Sequence, residues 1–112
     1  MESRGFLFSM TLGLMVSGSA FAGDAAGIVS TVHMGPIYGT NVFIKIQGTA
    51  ANMPSCQANQ YSFVFDSSTA AGKVLLASVL SAKATGTLVK ASGYNQCTLF
   101  FNVEDLRWFT IE

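Results

Sequence analysis

The alternation of apolar and polar positions divides the chain into short strands and one helix. Residues 28–34 are rich in β-branched side chains and bounded by Gly27 and Gly35, which predicts a strand. Residues 35–40 supply turn residues. Val42, Ile44 and Ile46 then alternate with Phe43, Lys45 and Gln47, the pattern of a half-buried strand with one wet face. The stretch 48–60, with Asn52, Pro54, Ser55 and Asn59, reads as a loop, and residues 61–65 as a third strand. A capping residue within 66–69 opens a leucine- and alanine-rich segment over 70–85, and Gly86 closes it, so a helix is expected there. Leu75, Leu76, Val79, Leu80 and Lys83 recur every three or four residues and predict its packed face. Gly72 near its start either weakens the first turn or lets the backbone approach a neighbour. Residues 87–91, 97–101 and 107–111 read as further strands, with a polar loop over 92–96.

Three strands, a helix and two or three returning strands are the element order of a small OB-like antiparallel barrel, β-β-β-α-β-β, mainly β with one helix. An open antiparallel sheet with one packed helix has the same order, because closure depends on pairing between strands distant in sequence. Neither an internal repeat nor a linker interrupts the chain.

Residues 1–22 stand apart from this pattern. Arg4 and the amino terminus precede an apolar run over 6–16, and Ala20 and Ala22 flank Phe21 as the small residues of a cleavage site. That is the layout of a cleavable signal peptide, with an apolar run too short to cross a bilayer; the other reading is a short membrane anchor, which lacks a basic stop-transfer flank. The mature chain is expected to begin near Gly23, to form one domain over 23–112 without a membrane span, and to reach the periplasm or the medium.

Export changes the reading of the cysteines. A domain this small has a modest core, and Cys56 and Cys97 form the single pair of an exported chain, which points to a disulfide. Two free thiols or half of a metal site are the alternatives, and one histidine outside the leader gives the latter little to work with. Charged residues make up 11% of the chain and the net charge is +0, so there is no basic stripe for nucleic acid. So little charge leaves copies of the domain free to associate as a homo-oligomer.

The candidate chemistry is sparse. His33 has no nucleophile or second ligand at a recognisable spacing and reads as a partly exposed strand histidine. No Gly-x-Ser-x-Gly elbow is present. Glu104 and Asp105 are adjacent, so on an extended segment they face opposite sides, and one is expected to cap a turn or to form an exposed pair with Arg107. No catalytic residue, metal site or cofactor is expected. The loop residues Tyr94, Asn95 and Gln96 join a ring that can stack on a sugar face to amides that can bond hydroxyls; an ordinary hairpin turn is the alternative. Trp108 and Phe109 adjoin, so one of them can lie outside the core and suit a subunit contact.

Gly72-Lys73 at the helix start, the leucine-alanine helix ending in Ala84-Thr85-Gly86, Cys97 and the Glu104-Asp105 pair resemble a pattern found in small exported bacterial proteins, mostly uncharacterised. Gly27, Val32 and the Val42-Phe43-Ile44 strand continue it. More distantly, the element order and the Val32-His33-Met34-Gly35 strand resemble the B subunits of pentameric bacterial toxins, the subtilase cytotoxin branch in particular. That resemblance implies a ring-forming domain that binds cell-surface glycans. The polar glycan contacts of that branch lie around the first strand, where this chain has Asp24-Ala25-Ala26-Gly27, so no sugar-binding residue carries over. The expectation is an exported, non-catalytic binding or assembly module with a glycan or protein partner. The alternative is a periplasmic structural or accessory protein without a small-molecule ligand.

Overall fold

A computed structural model describes residues 22–112; the expected leader, apart from Ala22, lies outside the described residues. The chain forms strands β1 (Asp24–His33), β2 (Asn41–Ala51), β3 (Phe63–Asp66), helix α1 (Ala70–Thr85), β4 (Val89–Gly93) and β5 (Leu106–Ile111). The five strands make one antiparallel sheet in the order β3-β2-β1-β4-β5. The expected element order is present. The sheet is not closed, as in the open-sheet alternative: edge strand β3 meets only the residue before β5, through a parallel bridge from Val64 to Asp105.

The helix has the expected limits because its signals are local. The Thr69 side chain accepts a hydrogen bond from the Gly72 amide at 2.8 Å, and Gly86 ends the helix in the left-handed region with its N–H on the Ala82 carbonyl. Gly72 serves close approach, since a Cβ there would overlap the Asp66 carbonyl. The buried side is Gly72, Val79 and Ala82, with Leu75 and Leu76 packed beside them. Leu80, expected on that face, is 45% exposed, and Lys83 is also exposed.

The main core fills the space between sheet and helix. Val29, Val42, Ile44, Ile46, Phe63, Phe65, Val79 and Leu106 are among its buried members. Phe43 lies on the opposite face of β2, yet it is buried, with Val64 and Val103, beneath Tyr38, Tyr61 and Phe100. The wet face expected for β2 is therefore covered around Phe43 and open only towards Gln47. Gly27 and Gly48 sit opposite each other on β1 and β2 at φ of 154° and 158°. A Cβ on either would strike the other strand's backbone, so this crossing requires glycine on both sides.

Two segments depart from the strand pattern. β1 begins at Asp24 and β2 runs on to Ala51, because these weak strand formers pair with each other from Asp24–Ala51 inward. Residues 97–101 form no strand. Their one ladder contact is the bridge from Phe100 to Val103, and the amides of Thr98 and Leu99 bond to a carboxylate instead.

Candidate functional site

The disulfide joins Cys56, in the loop after β2, to Cys97, with Cα atoms 6.1 Å apart. It gathers the loop after β2 and the loop between β4 and β5 at one end of the sheet. In the second loop the Glu104-Asp105 pair organises the backbone. Both residues are buried, at 1% and 5% exposure, which corrects the expectation of an exposed pair with Arg107. They do face opposite sides.

Asp105 turns towards the loop. It accepts the backbone N–H groups of Thr98 and Leu99, each at 3.1 Å, together with the Thr98 hydroxyl and the Gln96 side-chain amide. Its own N–H donates to the Gln96 carbonyl, and its carbonyl accepts from Tyr94. Glu104 turns towards the start of β1, where its Oε2 accepts the amides of Gly23 at 2.9 Å and Asn95 at 2.8 Å. Burial raises the Glu104 pKa, opposed by these two hydrogen bonds and reinforced by the charges of Asp24 and Asp105. The carboxylates hold backbone rather than each other, so they do not form an acid–base couple.

The loop so held forms one wall of an open groove of about 300 Å³ facing the start of α1. Tyr94, Gln96, Thr98 and Arg107 line it on one side and Asp66 and Thr69 on the other, with Phe65, Leu75, Leu99 and Leu106 making much of the lining apolar. Tyr94 is 57% exposed. Asp66 is itself anchored by the Thr40 hydroxyl and by the amide and hydroxyl of Ser68, which lower its pKa, the Ser68 amide most of all. Of the three loop residues singled out in the sequence, Tyr94 and Gln96 reach this groove. Asn95 does not; it takes a left-handed φ of 63° and uses its backbone N–H to hold Glu104. The arrangement offers a ring face beside amide, hydroxyl, carboxylate and guanidinium groups, which suits a neutral ligand rich in hydroxyls.

His33 is half-buried at the end of β1, as a strand histidine should be. Its ring stacks on Tyr61 at 5.1 Å between centroids and meets the edge of Tyr38 at 5.2 Å. With Phe43, Asn59 and Phe100 these rings line a half-open pocket of about 90 Å³. The pocket escaped sequence reading because its members come from five separate segments. Among the described residues no three His, Cys, Asp or Glu side chains come together to hold a metal ion.

β5 is the other prominent surface. Trp108 is 42% exposed while Phe109 packs against the main core, so the adjoining aromatics do face opposite sides. Trp108 forms the wall of a shallow groove of about 250 Å³ whose floor includes Ala25, Ala26, Ala50 and Ala91. Among the described residues, the far side of β5 carries no partner strand. Comparison with family models, with characterised proteins and with solved structures finds no match for this chain.

Proposed function

We propose that the chain is an exported, non-catalytic module that assembles with copies of itself and binds a glycan. The observation that carries this reading is the bare β5 edge with Trp108 beside it. Natural edge strands are usually short, bulged, covered or protected by charged side chains and proline, because an open ladder recruits another strand. The one charge and the bulge of this strand fall at Arg107, near its start; from Trp108 to Ile111 the edge has no charged residue and no proline, and Trp108 and Ile111 are each 42% exposed. Val74 and Leu80 add exposed aliphatic surface on α1, at 68% and 45%. With a net charge of +0, no long-range repulsion opposes association.

The glycan part of the reading is supported by the groove at Tyr94. Its ring stands exposed on a loop that Asp105 and the disulfide hold in place, so little order has to be imposed on binding. A ring of such modules would present several weak sites at once, the arrangement in which avidity exceeds single-site affinity. The resemblance to toxin B subunits belongs to this same proposal. The rival, a periplasmic accessory protein without a small-molecule ligand, makes no use of an exposed tyrosine in a groove that mixes apolar walls with a few polar groups.

A glycan array probed with the oxidised domain separates the two. The expected result is binding to a restricted set of sugars that falls at least about tenfold in Tyr94→Ala, the loss of roughly 1.4 kcal/mol of contact. Absence of sugar binding, or binding unchanged in Tyr94→Ala, would remove the groove from the proposal.

A further inference from the structure

Glu104 is buried more completely than its hydrogen bonds justify. Oε2 accepts two amide protons, from Gly23 and Asn95, whereas no donor among the described residues reaches Oε1. The side chain lies between two glycines: a Cβ on either Gly23 or Gly93 would overlap its carboxylate. Gly23 is itself buried, and its carbonyl accepts the Gly93 amide at 2.9 Å, so its nitrogen is held against the carboxylate by the β1–β4 pairing. The sequence leads to the expectation that the mature chain begins near this same residue.

We propose that removal of the leader after Ala22 completes the fold, the freed α-ammonium of Gly23 forming a buried ion pair with Glu104. The proposal rests on reading residues 1–22 as a cleaved leader. Hydrolysis of the Ala22–Gly23 bond leaves a carboxylate on Ala22 and an ammonium on Gly23. The amide brings one proton and no charge to Glu104; the ammonium brings three protons and a positive charge. Oε1 then gains a donor, and a carboxylate already out of water gains a partner where attraction is only weakly screened. Glycine at 23 is required on both counts, because any side chain would occupy the position of the carboxylate.

The pH dependence distinguishes the two states. With an amide at Gly23, the Glu104 pKa is raised, so stability falls as pH climbs from the ordinary carboxylate range through the raised value. With an ammonium, the carboxyl pKa drops and the amine pKa rises. Stability is then present between them and lost as pH falls through the first or climbs through the second. Asp24 and Asp105 repel the carboxylate in both states, and Lys45 and Tyr61 are the other titratable groups on the adjoining cavity wall.

The test compares two oxidised chains, residues 23–112 with a free Gly23 amine and residues 19–112 with an amide at Gly23. Each is also made as Glu104→Gln. Residues 23–112 carry every strand, the helix and the disulfide of the fold. At pH 6.5 the chain starting at Gly23 should melt higher, by about 5 °C. The gap should close in the Glu104→Gln pair and above the pH at which the amine loses its proton. Equal midpoints at pH 6.5, or a gap that survives Glu104→Gln, would overturn the proposal. If Glu104→Gln fails to fold, carboxyl NMR titration of the unsubstituted chains decides: a lower Glu104 pKa in the chain starting at Gly23 supports the pair, and equal values overturn it. The premise has its own readout, the intact mass of protein exported by a bacterial host. A mass starting at Gly23 supports it, and any other start removes the premise whatever the melting curves show.

Discussion

At the scale of single residues, two adjacent carboxylates hold the loops of this protein in opposite directions. Asp105 satisfies the N–H groups of Thr98 and Leu99 and the Thr98 hydroxyl from a position only 5% exposed. Removing it leaves those donors without a partner and frees the wall of the Tyr94 groove. Asp105→Ala is therefore expected to destabilise the domain by about 3 kcal/mol, read from denaturant unfolding, and to weaken any sugar binding. A change under about 0.5 kcal/mol would mean that water replaces the carboxylate freely. Alternation alone showed that Glu104 and Asp105 face opposite ways. Their burial was not legible, because the groups they hold include Gly23, 81 residues from Glu104, and nothing local marks such a partner.

At the scale of elements, legibility followed the range of the cause. Helix α1 was readable to its ends because Thr69 and Gly86 act within one turn. The 97–101 segment misread as a strand because its apolar side chains suit one, whereas its amides are taken by Asp105. β1 began four residues before its expected start, since Asp24 to Gly27 owe their strand conformation to β2 and β4 on either side. The cysteine pair was legible from compartment and count, and the structure adds its task of joining two loops. Replacing both cysteines by serine should cost about 4 kcal/mol of stability for a crosslink of this span, measured by denaturant unfolding as a lower midpoint with a somewhat steeper slope, since the uncrosslinked chain exposes more surface when unfolded. A loss below about 1 kcal/mol would show that both loops are already held by other contacts, such as the bond from Asn59 to Asn102.

At the scale of the whole molecule, the two cores leave an outer surface more apolar than a solitary small domain requires. Ile37, Phe101, Val74, Met53 and Leu88 are all at least 60% exposed, in addition to Trp108 and Ile111 on β5. The order of elements and the open sheet were within reach of the sequence; which aromatic of the last strand faced outward was not, because it depends on the register shift between Ser92 and Gly93 in the β4–β5 ladder. We propose that this surface joins copies of the chain. Sedimentation equilibrium of the oxidised domain, residues 23–112, over a hundredfold concentration range tests it most directly, with Trp108→Lys as the comparison. The account predicts a discrete oligomer that Trp108→Lys shifts towards monomer while the fold is retained. A monomer throughout the range would contradict it.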